Sequence, residues 1–193
     1  MLKKTALPEN RTQQRKGRLQ LIALILLAVV PILLASSMYK WRFWVPESRN
    51  YHGELLGDGR TLADLGVSGD IPQTWLLLVS APDDCLEDCR KLVYLARQIH
   101  IALGREAARA HHALATSQAL PLDYGQQLAR EYPQLGRFNL QPERYLTIAT
   151  DNKTPQLWII DPLGNLVLRY APGSNGKQIL KDLQLLLKLS KIG

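Results

Sequence analysis

The chain has 193 residues, room for one domain of ordinary size with some chain left over. Its 46% apolar content is that of a globular protein and argues against disordered or collagen-like classes. The net charge of +7 is lopsided: residues 1–18 hold six basic side chains against Glu9, and the remainder holds 18 basic against 16 acidic. A domain that close to neutral has no basic face to neutralise a phosphate backbone, which argues against nucleic-acid binding.

The basic tail, 1–18, leads into "LQLIALILLAVVPILLASSMY", 19–39, a run without a charged side chain and about the length that crosses a bilayer core. A membrane helix tolerates Pro31 better than a soluble one does. Ala35-Ser36-Ser37 also resembles a signal-peptide cleavage site, but the tail and the apolar run are both long for a signal peptide. The reading is an uncleaved transmembrane helix. The positive-inside bias then places 1–18 in the cytoplasm and the rest of the chain outside it. A bacterial inner membrane with a periplasmic domain fits, because the tail lacks the arginine-rich amphipathic pattern of a mitochondrial transit peptide. Residues 40–50 form a juxtamembrane linker whose Trp41, Phe43 and Trp44 suit a lipid–water interface. The domain proper is 51–193.

Within it, Gly57-Asp58-Gly59 reads as a hairpin turn between two short apolar stretches. "QTWLLLVS", 73–80, is a continuous apolar run, as expected of a central strand covered on both faces. Leu92, Leu95, Ala96, Ile99 and Leu103 recur at helical spacing and predict a helix from Leu86 to Gly104, with Asp83 or Asp84 able to cap it. A second strand is expected over 107–116, a helix over 121–133, and a further apolar segment at 144–150. "PQLWIIDPLGNLVLRY", 155–170, is a hairpin turning at Asp161–Asn165, and an amphipathic helix with Ile179, Leu180, Leu183, Leu186 and Leu187 on one side closes the chain. The order predicts an α/β fold with helices covering a central sheet.

The chemistry sits in "SAPDDCLEDCRKL", which holds the two cysteines of the chain. Cys85 and Cys89 lie one helical turn apart, so they can close a disulfide or hold one soft ion such as Cu(I) between two thiolates. A helix N-terminus stabilises thiolate, while Asp83, Asp84, Glu87 and Asp88 oppose it and only Arg90 and Lys91 counter them nearby. An inert structural bridge is the bland alternative, although so short a loop constrains little of the unfolded chain. Zinc lacks ligands. His100 lies ~16 Å along the helix from Cys89, His111 and His112 point to opposite faces of a strand, and His52 precedes the core, so all four histidines read as structural or exposed.

The strand–C-x-x-x-C–helix unit, the later "WIIDPLGNLVLRY" and the single anchor resemble the Sco family over residues 50–190. The resemblance implies a thioredoxin-like fold. It also implies a membrane-anchored protein that delivers copper to, or reduces the cysteines of, the Cu(A) site of cytochrome c oxidase. Two departures stand out. Leu86 occupies the place where the family usually carries proline, and Asn152 stands where it carries a copper-ligating histidine, with no histidine after His112. Thr154-Pro155 resembles the cis-proline of thioredoxin-like reductases, with a trans proline opening a strand as the other reading.

The expected activity is dithiol–disulfide exchange with a cysteine-bearing protein partner, such as a cytochrome oxidase subunit. Cys85 would attack, Cys89 would resolve, and Pro155 would orient the partner. The alternatives are a Cu(I)-binding module that uses Cys85, Cys89 and a partner's ligand, or a scaffold without chemistry.

Overall fold

The computed structural model describes residues 10–41, 51–149 and 154–190. The tail before Asn10, most of the 40–50 linker, and Asp151, Asn152 and Lys153 lie outside them. The chain divides into two compact units, Met1–Ser48 and Arg49–Gly193.

The first unit contains helix α1 (Asn10–Trp41), which extends beyond the apolar run on both sides. Its stretch Arg18–Ser37 has a mean hydropathy of 2.7, and its 20 residues suffice to cross a membrane.

In the second unit, seven strands form one mixed sheet: β1 (Glu54–Leu55), β2 (Val67–Ser68), β3 (Trp75–Ala81), β4 (Ala110–Thr116), β5 (Gly136–Leu140), β6 (Gln156–Ile160) and β7 (Leu166–Tyr170). The order across the sheet is β1-β7-β6-β3-β4-β5-β2. Strands β3, β4 and β5 run parallel, and β6 pairs antiparallel with both β3 and β7.

The helices are α2 (Glu87–Ala102), α3 (Leu122–Glu131), α4 (Pro142–Ile148) and α5 (Gly176–Leu189). Every residue of β3 is buried, as a strand covered on both faces requires. Its side chains alternate between two cores. Leu77 and Val79 join Leu92, Val93 and Ile99 of α2, Leu128 of α3 and Ile179 and Leu183 of α5. Leu76 and Leu78 join Trp158, Tyr145 and Ile148 of α4, and Leu62 and Leu65.

Most expected elements are present, with three corrections. Gly57–Gly59 is not a hairpin turn, because both of its flanks bond to the β7 side of the sheet rather than to each other. Leu56 N–H donates to Val167 at 2.9 Å, and Arg60 C=O accepts from Leu166 at 2.8 Å. The apolar segment at 144–150 belongs to helix α4 as far as Ile148, and β5 had no counterpart in the sequence reading. Neither Asp83 nor Asp84 caps α2, whose N-cap position is Leu86 with no side-chain bond. Gly104 does end that helix, in a left-handed conformation (φ 57°) that L side chains disfavour.

Candidate functional site

Three strand ends meet at one edge of the domain. β3 runs out through Ala81 and Pro82 into the cysteine loop, β4 ends beside it, and β6 begins there. Ser117, just past β4, fastens the first two: its N–H donates to Ala81 C=O at 3.2 Å and its hydroxyl to Pro82 C=O. Ligand sites in α/β sheets favour the carboxyl ends of parallel strands, because loops there are free to vary. The cleft here, about 790 Å³, is walled by Asp83, Asp84, Leu86, Glu87, Asp88 and Cys89 from the cysteine loop, Gln118 after β4, and Thr154-Pro155 before β6.

Cys85 and Cys89 form a disulfide, with their Cα atoms 5.0 Å apart. Cys85 stands in the loop and Cys89 is the third residue of α2, so one turn of helix supplies the spacing. Burial alternates sharply: both cysteines are buried, while Asp83, Asp84, Leu86, Glu87 and Asp88 are exposed around them. The acidic rim is partly compensated. Lys91 lies 2.7 Å from Glu87 and 3.8 Å from Asp88. The hydrogen bond and charge of Lys91 hold the Glu87 carboxyl below its ordinary value, and the same pair raises Lys91. Arg90 turns elsewhere. Its Nε donates to Cys85 C=O at 3.3 Å, and its guanidinium lies 4.3 Å over the Tyr124 ring. Burial pushes the Tyr124 hydroxyl up to about 12.

Pro155 lines the same cleft as Cys89, and among the described residues every peptide bond is trans. The cis-proline likeness therefore fails at this bond. A trans proline fits because Pro155 immediately precedes β6 and owes the ladder no N–H.

Behind the cleft lies a polar chain that sequence reasoning missed. Trp158 Nε1 donates to the Ser80 hydroxyl at 2.8 Å, Ser80 donates to Tyr145 at 3.1 Å, and Tyr145 donates to Thr154 C=O at 3.4 Å. It ties the residue before Pro155 to the sheet. Its one legible signal was Ser80, a polar residue inside an apolar strand.

His111 is exposed and bonds Thr74, and His112 is buried against His100, their ring centroids 4.9 Å apart. Asn152 lies outside the described residues. The described residues contain no group of three or more His, Cys, Asp or Glu side chains placed to hold a metal.

A disulfide at the end of a central strand, a helix that begins within a turn of the second cysteine, and a proline lining the same cleft make up a thioredoxin-like module. The family model described as "transmembrane-like, thioredoxin-like, C-terminal domain" matches residues 75–190, and its companion "transmembrane-like, N-terminal domain" matches 11–42. The chain belongs to that family, and its N-terminal helix is long and apolar enough to cross a membrane.

No curated protein matches the chain. Similar solved structures include copper-bound ScoI from Arabidopsis thaliana, with TM-score 0.44 and 9% identity over 59% of this chain and 86% of that one. Copper-bound ScoI from Bradyrhizobium japonicum gives TM-score 0.42 and 13% identity over 59% and 85%. A secreted thiol-disulfide isomerase from Corynebacterium glutamicum gives 0.46 and 10% over 61% and 72%.

Proposed function

We propose that this is a membrane-anchored thiol–disulfide exchange protein that keeps the cysteines of a partner reduced, in the manner the Sco resemblance implies for the Cu(A) site of cytochrome c oxidase. The observation that carries the reading is the Cys85–Cys89 disulfide beside a cleft that Cys89 and Pro155 both line. The basic tail then lies in the cytoplasm and the domain in the periplasm of a bacterial inner membrane, where thiols meet oxidants and dedicated reductants.

In the reduced form, one thiolate attacks a partner disulfide. A mixed disulfide forms and the partner's second sulfur leaves as thiolate. The remaining cysteine then attacks the mixed disulfide, which closes Cys85–Cys89 and releases the partner's dithiol. Two electrons pass to the partner, and a periplasmic dithiol donor restores the pair. No step passes through copper.

The test is a redox titration of the full-length chain in membranes, with glutathione buffers and a thiol-trapping gel shift. The expected result is a reversible two-electron couple at Cys85 and Cys89, and loss of oxidase assembly in the double serine variant. A pair that stays oxidised in every buffer, beside normal assembly in the double variant, leaves only the scaffold reading.

A further inference from the structure

The cleft beside the disulfide has a rim of one charge. Asp83, Asp84, Glu87 and Asp88 all line it and all are exposed, four carboxylates within six residues. Residues 51–193 balance at 15 basic against 15 acidic side chains, so this acidity is local. Lys91 answers Glu87 and Asp88 at 2.7 and 3.8 Å, and Arg90 is turned onto the Tyr124 ring at 4.3 Å. Among the described residues, Asp83 and Asp84 have no cation within ion-pair distance. Four acids against Arg90 and Lys91 leave segment 83–91 with a net charge of −2. Two leucines stand by these carboxylates. Leu86, in the rim, is 68% exposed, and Leu122, in the first turn of α3 that Arg90 meets through Tyr124, is 85% exposed. An open acidic cleft with exposed leucines at its edge suits a protein segment rather than a small apolar ligand. Carboxylates beside a cysteine oppose its thiolate, so the rim hinders exchange unless something offsets it. Basic side chains on the partner do so: they pair with Asp83 and Asp84, speed encounter and favour the thiolate as the partner docks.

Building on the exchange reading above, we propose that the partner offered to Cys85–Cys89 is a protein segment that carries lysine or arginine beside its own cysteines. Asp83 and Asp84 take its basic side chains, and Leu86 covers an apolar one. The covalent balance is that of the exchange: the partner's disulfide takes up two electrons and two protons, and Cys85–Cys89 closes. The dithiol donor named above restores the pair. A segment with acidic residues beside its cysteines is repelled, so the rim selects among partners by charge.

The probes are three synthetic peptides that share one intramolecular disulfide and differ only in the residues flanking it: lysine, glutamine or glutamate. The reduced full-length chain in detergent is mixed with each, and reduced peptide is measured after acid quenching. Each rate is divided by that peptide's rate with dithiothreitol, a neutral dithiol, which cancels intrinsic reactivity. The lysine peptide is expected to react about fivefold faster than the glutamate peptide at low ionic strength, with glutamine between them. That ratio should fall toward unity in about 0.5 M salt. It should fall likewise in Asp83→Asn/Asp84→Asn, where the two remaining acids balance Arg90 and Lys91. Equal rates for the three peptides, or a preference for glutamate, overturn the inference and leave the exchange reading intact. A lysine preference that survives unchanged in the asparagine variant also overturns it, since the charge then lies elsewhere. Should that variant misfold, the wild type decides: a preference insensitive to salt overturns the inference and one that salt abolishes supports it. If the chain reduces no peptide faster than the double serine variant does, the exchange reading itself falls, and the partner assignment with it.

Discussion

The imidazole Nδ1 of His52 lies 2.8 Å from Oδ1 of Asp182, a pairing of the first residues of the domain with its last helix across 130 positions of sequence. Asp182 is 1% exposed and accepts three further hydrogen bonds: His52 N–H at 2.7 Å, Gly53 N–H at 3.1 Å and the Tyr170 hydroxyl at 2.7 Å. Burial pushes its pKa up, but the donors from His52, Tyr170 and Gly53 outweigh that and hold it below the ordinary 3.8. Burial and the same carboxylate push the Tyr170 hydroxyl well above its usual range.

Asp182→Ala leaves buried donors without an acceptor and should cost about 3 kcal/mol, while Asp182→Asn, which keeps one acceptor, should cost less. Denaturant unfolding of the full-length chain in detergent checks the order. The contribution is present above the unfolded value of 3.8 and is lost as pH falls through the lower folded value, so wild type and Asp182→Ala should converge in strong acid.

His112 is 3% exposed, and neither ring nitrogen has a partner. Burial, with His100, Arg97 and His111 nearby, lowers its pKa from 6.5 to about 4. Between those values the unfolded chain binds the proton and the folded chain does not, so stability falls as pH drops from about 6.5 to about 4. His112→Phe should remove on the order of 2 kcal/mol of that dependence. Thermal midpoints at pH 7 and pH 4.5 measure it: the wild type should drop more between them than the variant does.

Tyr145→Phe removes the hydroxyl between Ser80 and Thr154 C=O and should cost about 1 kcal/mol. Because that hydroxyl tethers the residue before Pro155, the loss should concentrate there. Amide exchange should quicken around Gln156 while the α2 core is unchanged. A uniform increase across the domain would show that the tether has no local role.

Reducing Cys85–Cys89 opens a loop with a sequence separation of only 4. Chain entropy puts the loss near ~2 kcal/mol, small enough for the reduced domain to stay folded. Near-ultraviolet circular dichroism with and without dithiothreitol should retain its tertiary signal while the midpoint moves down by several degrees. Outright unfolding on reduction would make the bridge structural, not catalytic.

Residues that bond to near neighbours were legible in the sequence. The C-x-x-x-C spacing, the Gly104 stop and the Asp161–Asn165 turn are all closed by contacts a few positions apart. Leu76–Val79 was legible too, since a short continuous apolar run fits a strand buried on both faces. The turn at Gly57–Gly59 misled because its glycine chemistry is real, yet the partners of its flanks lie over 100 positions away on the β7 side. Asp182 left a faint signal, an acid on the apolar stripe between Ile179 and Leu183. His52 and Tyr170, its partners, left none.

The sequence by itself determined an apolar span of bilayer length, an α/β domain and two cysteines able to bridge, because span length, residue period and one helical turn are local constraints. Only the tertiary structure decided what faces those cysteines. Three strand ends separated by dozens of residues are brought together by sheet pairing, and sheet pairing places Pro155 and Cys89 in one wall. Arg90 stacks on Tyr124 because α2 and α3 pack on the same face. That packing also sets the Arg90 Nε–H against the Cys85 carbonyl.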